Sequence, residues 1–372
     1  MKEESLLLLS DLQKLINQVV LIDYTIIILG DETMKHIRYI LSMILVGTIL
    51  LCGCSSKKDS LSDTASQKDS ELSSIISSDD ELIKKSDGTV TMGFKPSDNY
   101  EYTYSGDELE VPLYVGTNDN SEEVEAAAIL FLNGEVQPYY YKLNDEMSEK
   151  KLVHYFKLKP DQTINFTAYV TPVSGMKGDT LGMQFATIYM ADYLPDSTQN
   201  TSFGNCCKMN STVCIPVKMQ EDGENQTKAD FVKTEVTDIP EEIMDVLKGF
   251  VTNDTDNPLD YSAYLEIKTD DNKNCIYSKD GKLHLTLQMY GGKEVAEKVT
   301  VFINNEPVKI DGCDYVQINT TSDKMTVFDV DIDVSGYEEL CSLYAVASTA
   351  GKDYEIQDDT IQSGRYLLVK DR

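Results

Sequence analysis

From Thr89 onward, apolar side chains recur at every second position. Leu109, Val111, Leu113 and Val115 alternate with Glu110, Pro112 and Tyr114, and Tyr100, Tyr102 and Tyr104 alternate with Glu101, Thr103 and Ser105. A period of two places one set of side chains on one face of a pleated strand, which suits half-buried strands and excludes amphipathic helices. The same reading predicts strands over Ala126–Leu132, Leu152–Lys159, Thr163–Thr171, Phe185–Tyr193 and Thr212–Met219. Turn residues separate them, among them Asn133-Gly134, a strong two-residue hairpin signal because both central residues of such a turn need positive φ. Many short strands with few helices predict an all-β chain built of β-sandwiches.

A weak internal repeat, offset by 171 to 174 residues, doubles this unit. Phe131-Leu132-Asn133-Gly134-Glu135 recurs as Phe302-Ile303-Asn304-Asn305-Glu306. Leu109, Val111 and Leu113 are matched by Leu283, Leu285 and Leu287. Ser148-Glu149-Lys150 recurs as Ser322-Asp323-Lys324. The expected layout is a first sandwich over 89–220, a linker over 221–250 and a second sandwich over 251–372. The linker holds the best helix signal. Asp238 can cap, Pro240 suits the first turn, and Glu241 completes a capping box. Ile239, Ile243, Val246, Leu247 and Phe250 then share one face, and a brace between the sandwiches is the expected role. With no Trp in the chain and no cysteines at repeat-equivalent positions, the antibody-type hallmark is missing. The tandem domains resemble immunoglobulin-like sandwiches in general.

The N-terminal part is of another kind. Lys35, His36 and Arg38 precede an apolar run from Ile40 to Leu51, which ends in Leu51-Cys52-Gly53-Cys54. That is the three-part layout of an export signal with small residues at its cleavage site. Because a cysteine follows the small residue, the stretch resembles the lipobox of bacterial membrane lipoproteins of the Gram-positive type. The resemblance implies a signal peptide over 34–53, lipidation of the Cys54 thiol by a diacylglyceryl group, and lipobox roles for Leu51, Cys52 and Gly53. Cys52 is larger than the family usually places there. The alternative is a retained transmembrane helix, since the uncharged window from Tyr39 to Ser56 is at the lower limit of a bilayer span. Residues 1–33 carry six acidic side chains, the wrong sign for the front of such a signal, and read as a gene-model extension ahead of Met34 or as a cytoplasmic leader. After Cys54, the stretch 54–88 is rich in serine and charge and too poor in apolar surface to offset its ordering entropy. It reads as a disordered tether with a mean span of roughly 30–35 Å.

The formal net charge of −30 opposes contact with nucleic acid phosphates or anionic headgroups. The lipobox resemblance implies the membrane as a partner, through the diacylglyceryl anchor on Cys54; the other expected partner is a protein or glycan ligand, with no nucleic acid and no cofactor.

No residue set carries catalysis or a metal. Of the three histidines, His154 aligns by the repeat with Phe328 on an apolar row, and His284 falls on a solvent face. Asp329, Asp331 and Asp333 imitate a calcium loop, but Val334 and Leu340 stand where an EF-hand needs Gly and Glu, so strand alternation explains them better. A calcium site near Asn253, Asp254, Asp256 and Asp260 stays open. Cys206, Cys207 and Cys214 lack a fourth zinc ligand nearby, and in an oxidising compartment the expectation is a loop disulfide from Cys214 to one of the pair, with Cys207–Cys214 the candidate bridge. Tyr139-Tyr140-Tyr141 and the Tyr100, Tyr102 and Tyr104 row are either an aromatic platform for a sugar or peptide or core packing. Together these features point to a non-enzymatic, lipid-anchored protein on the outer face of the cell membrane, serving binding, adhesion or spacing. The alternatives are a solute-binding lipoprotein of an importer, or an extracellular enzyme with an acidic site.

Overall fold

The computed structural model describes residues 88–370, apart from short stretches at 96–100, 119–121, 197, 199–200, 205, 225–226, 231, 250–256, 258, 260–261, 270–273 and 358–359. The leader, Leu51 to Cys54 and the tether lie outside the described residues, as do Tyr100, Phe250 and the Asn253–Asp260 acidic group. Among the described residues no helix is long and apolar enough to cross a membrane.

The chain is all-β, arranged as two sandwiches. In the first, β1 (Thr89–Phe94), β3 (Leu109–Asn118), β9 (Thr163–Val170), β6 (Tyr139–Leu143) and β7 (Glu146–Met147) form one sheet in that order. Its partner sheet runs β2 (Tyr102–Tyr104), β12 (Ile215–Met219), β10 (Thr180–Tyr189), β4 (Val124–Leu132) and β5 (Glu135–Val136). Two more strands join it, β8 (Val153–Leu158) on β4 and β11 (Met209–Ser211) on β10. In the second sandwich the smaller sheet is β14 (Glu235–Thr237), β21 (Met325–Asp333), β17 (Lys282–Gly291) and β15 (Ala263–Ile267). The larger runs β13 (Ala229–Asp230), β20 (Tyr315–Asn319), β18 (Ala296–Ile303), β22 (Leu340–Thr349), β24 (Tyr366–Val369) and β16 (Cys275–Tyr277). There β19 (Glu306–Val308) pairs with β18, and β23 (Thr360–Gln362) with β22.

The duplication is topological. β1–β3–β9 recurs as β15–β17–β21, and β12–β10–β4–β8 as β24–β22–β18–β20. In each copy a short early strand pairs parallel with the last strand of the larger sheet, β2 with β12 and β16 with β24. The matched hairpin turns are Asn133-Gly134 (φ 57° and 72°) and Asn304-Asn305 (φ 52° and 66°), both left-handed as a tight hairpin demands. The alternating rows face inward as expected: Leu109, Val111, Leu113 and Val115 in one copy, and Leu283, Leu285 and Leu287 in the other, are all buried.

One expected correspondence fails. β8, which carries His154, pairs with β4 in the larger sheet of its sandwich, whereas β21, which carries Phe328, pairs with β17 in the smaller one. The match of Ser148-Glu149-Lys150 to Ser322-Asp323-Lys324 therefore joined two strands of opposite sheets. An alternating strand entered by a polar turn looks the same in either sheet, so the pattern could not separate them. By pairing, His154 lies opposite Ala128 as Val316 lies opposite Val299.

The linker also differs. β13 and β14 come from within 221–250 and pair with β20 and β21, so this stretch supplies strands to the second sandwich. Helix α1 (Glu241–Lys248) has Pro240 at its N-cap with no side-chain cap, because the Asp238 carboxylate is engaged by the Lys324 ammonium instead. Leu247 is buried with Leu259, Tyr290 and Met325, flanked by Ile239, Ile243 and Met244. Val246 is exposed. All of these lie within the second sandwich and the segment leading into it, so the helix covers one end of that domain and braces nothing between the two.

What joins the sandwiches is their larger sheets. β4, β10, β18 and β22 are buried on both faces almost throughout. In the second sandwich Val301, Ile303, Leu343, Ala345 and Ala347 belong to its own core, while Phe302, Tyr344 and Val346 belong to the core cluster of the first. Phe302 and Tyr344 stack at 5.0 Å and 8°. Across the same junction Ser348 and Thr360 each donate to Gln184 Oε1, at 3.1 and 2.7 Å.

The hairpins then dock reciprocally. The Asn133 carboxamide oxygen accepts from the Gly351 amide at 2.8 Å, and the Asn305 carboxamide donates to the Ala191 carbonyl at 2.7 Å. Ala191 and Gly351 hold equivalent places just beyond β10 and β22. A Cβ on Gly134 would meet the Ser348 carbonyl oxygen at 2.6 Å. Gly134→Ala therefore combines left-handed strain with a backbone clash, and should cost about 2 kcal/mol or more. In urea titrations the midpoint should fall for both sandwiches together as one transition, since neither larger sheet keeps its outer face covered alone.

Candidate functional site: the junction between the sandwiches

Beside the docked hairpins lies a cavity of about 230 Å3. Val136, Leu152 and Val173 from the first sandwich and Pro307 and Val308 from the second give it apolar walls, with Glu135 and Tyr315 at its polar side. Glu135 follows the Asn133-Gly134 turn directly, so the hairpin carries its carboxylate across to the second sandwich. There it pairs with the Lys298 ammonium, both side chains being almost wholly buried. The Ser174 and Thr227 hydroxyls also donate to the carboxylate, each at 2.6 Å. The Lys298 ammonium also lies 4.7 Å over the Tyr315 ring. Burial lowers the Lys298 pKa and outweighs the opposing pull of Glu135. Tyr315 is raised, first by burial and then by the Glu135 charge.

The repeat supplies a counterpart. Glu306, just past the Asn304-Asn305 turn, accepts from the Tyr155 hydroxyl of the first sandwich at 3.2 Å. Burial raises the pKa of both Glu306 and Tyr155. Each hairpin thus aims one carboxylate at the other domain. Glu135 acts as a clamp: its buried carboxylate is held by the Lys298 ammonium and by the Ser174 and Thr227 hydroxyls. The cavity beside it sets its apolar walls against polar and charged residues, Thr227, Thr300, Lys309 and Asp314 among them. No sequence signal singled out Lys298. Glu135 and Glu306 are legible in hindsight as the acidic residues that follow both repeated turns.

The candidate residues fall elsewhere. His154 is buried and its Nε2 donates to the Tyr139 carbonyl at 2.8 Å. Burial lowers its pKa, so the ring is a neutral core element. His284 lies on the exposed face of β17, its Nδ1 2.9 Å from Asp331. Asp329, Asp331 and Asp333 occupy the exposed alternate positions of β21, and the Thr286 hydroxyl donates to Asp329 at 2.6 Å. Among the described residues no three metal-ligating side chains converge.

Tyr139, Tyr140 and Tyr141 separate, as neighbours on a strand must. Tyr139 is fully buried with its hydroxyl on the Ala128 carbonyl, and Tyr141 packs on His154, Phe156 and Phe166. Tyr140 turns outward, stacks on Tyr169 at 5.2 Å and 10°, and donates to the Glu108 carboxylate. That hydrogen bond pushes the Tyr140 pKa up to about 12. The surface platform is thus Tyr140 with Tyr169, a partner from β9 that no short-range pattern could supply. Tyr104 is buried, and Tyr102 packs on Phe94.

The Cys207–Cys214 disulfide is not formed. Cys207 sits opposite Tyr189 at one end of β10, with its thiol directed at the Met190 and Tyr193 carbonyls, while Cys214 lies by Gly182 near the other end. Seven residues of extended strand hold them about 23 Å apart, far beyond disulfide reach. Burial pushes the Cys206 and Cys207 thiols up to about 11 and 12, which leaves them unreactive.

No family model matches the chain, and no curated protein matches it. Solved structures that it resembles include the CsuC–CsuE chaperone–tip adhesion subunit pre-assembly complex of Acinetobacter baumannii Csu pili (11% identity, 76% of this chain and 100% of that one, TM-score 0.18). BcpA, the major pilin subunit of Bacillus cereus, matches at 9% identity over 76% of this chain and 69% of that one, TM-score 0.20. A β-glucosidase from Kluyveromyces marxianus matches at 11% identity over 71% and 45%, TM-score 0.18. Likenesses this distant carry no functional argument; the fold rests on the sheets themselves.

Two measurements test the junction and its surroundings. Lys298→Met leaves a buried carboxylate without its cation and should lower unfolding free energy by about 3–5 kcal/mol, while adding Glu135→Gln should recover most of the loss. For His154, the folded pKa lies below the unfolded value, so its stability contribution is complete above about pH 6.5 and is lost as pH falls through the folded value. The urea midpoint should drop between pH 7.5 and 5, and His154→Gln should flatten that drop.

Proposed function

We propose that this chain is a lipid-anchored cell-surface protein whose two sandwiches act as one rigid binding or spacing module on a flexible tether, with no catalytic role. The observation that carries the reading is Leu51-Cys52-Gly53-Cys54 at the end of an apolar run, followed directly by a Ser-rich stretch. An export leader, an acylated Cys54 and a tether make sense only for a body that works outside the membrane. Acyl chains contribute about 0.8 kcal/mol per buried CH2, enough for two chains to hold such a body stably.

The reciprocal docking supports a single rigid unit, since hinge motion would expose the doubly buried strands. Both described histidines and the Glu135–Lys298 pair have structural work to do, which supports binding over catalysis. The half-exposed Tyr140–Tyr169 stack beside Glu108 offers a flat face to a sugar ring or an extended peptide. The importer reading is disfavoured, because that role calls for α/β lobes with long helices, and α1 spans only eight residues.

Cys54→Ala tests the anchor. The variant should lose incorporation of labelled fatty acid and leave the membrane fraction, as should the wild-type chain when signal processing is blocked. Continued labelling of the variant would sink the assignment.

A further inference from the structure

A second cavity, of about 310 Å3, opens at another part of the same junction. Phe203, Cys207 and Lys208 line it from the segment between β10 and β11, while Asn274, Ser363 and Arg365 line it from the second sandwich. Arg365 sets its character. The chain has only three arginines, and this is the one among the described residues.

Its guanidinium lies 3.9 Å over the Tyr344 ring. Nη1 donates to Asn305 Oδ1 at 2.7 Å and to Ser342 Oγ at 3.4 Å. Nε and Nη2 are buried and make no well-aligned hydrogen bond, the Tyr344 hydroxyl lying close enough to interact with the guanidinium. Nε and Nη2 form the side-on fork of a guanidinium, the edge that grips a carboxylate or phosphate with two parallel hydrogen bonds. A buried lysine could shed its proton to escape this position, but an arginine cannot. A fixed cation whose fork meets no well-aligned acceptor, in a chain of net charge −30, calls for an anion from outside.

We propose that this cavity binds a small oxyanion, a carboxylate or phosphate group, on the Nε–Nη2 fork of Arg365. The Lys208 ammonium, which pairs with no described carboxylate, and the Asn274 side-chain amide supply further donors from the cavity wall. Because Nε and Nη2 are shielded from solvent, binding requires the guanidinium to turn this fork toward the cavity. The chain's overall negative charge opposes this only weakly, because exposed charges farther away than about 8–10 Å are screened at physiological salt. The site is independent of the anchor and of the Tyr140–Tyr169 face.

The test uses the arginine Nε–H signals of the 15N-labelled full chain in detergent. The sequence holds three arginines, of which Arg38 is lost where the leader is cleaved, so two or three signals appear and the reading stays simple. Inorganic phosphate, and separately acetate, is titrated at ionic strength held constant with chloride. One signal should move saturably with phosphate, acetate or both, which also tells the two head groups apart. That signal should vanish in Arg365→Lys, with affinity at least tenfold weaker by calorimetry. Lys208→Gln, which leaves the buried residues alone, should weaken binding about threefold or more, and so guards against misfolding of the arginine variant. If no signal moves beyond its shift in chloride, or if the moving signal survives Arg365→Lys, the proposal is overturned.

Discussion

Everything in this structure depends on four strands having no solvent face. β4, β10, β18 and β22 each bury one side in their own sandwich and the other against the neighbouring one. A sandwich strand normally keeps its outer face polar. Here the outer rows hold Phe302, Tyr344 and Val346, and removing such groups from water contributes roughly 1.5–3 kcal/mol each. Two domains joined in this way cannot separate without exposing a core. The junction is therefore part of the fold rather than a contact between finished parts.

The polar groups at the junction follow from that constraint. Once two apolar sheets face each other, any charge between them must be paired and hydrogen-bonded. Glu135 meets this demand with Lys298, Ser174 and Thr227, whereas its counterpart Glu306 is exposed and, among the described residues, accepts only from Tyr155. The internal repeat places the two hairpins symmetrically, and the residues each one meets make the difference between a full ion pair and a single hydrogen bond. Arg365 breaks the pattern. The Nε and Nη2 atoms of this half-buried cation are shielded from solvent without a well-aligned acceptor, and this sets its cavity apart from the clamp around Glu135.

The legible parts of the sequence were those governed by local geometry. Asn133-Gly134 and Asn304-Asn305 announced the hairpins because few residues tolerate two successive positive φ angles. The rows from Leu109 and Leu283 announced buried faces because the pleat has a period of two. The misread parts needed partners distant in the chain. His154 was matched to Phe328 since nothing in an alternating strand says which sheet it joins. Cys207 and Cys214 are close in sequence, yet β11 holds the chain extended between them. Tyr140 required Tyr169, and Lys298 required Glu135, across separations that no window spans. α1 showed its apolar face, but the choice of Leu247 and Met244 over Val246 for burial came from what it packs against.

The sequence alone determined the strands, the two tight turns, the duplication and the expectation of an exported, acylated N-terminus, because each follows from neighbouring residues. Only the tertiary structure decided which sheet each strand joins, that the larger sheets bury each other's outer faces, and that Arg365 is left with an unfilled fork. Those outcomes depend on surfaces assembled from residues far apart in the chain, and packing between sheets leaves no periodic trace in either strand.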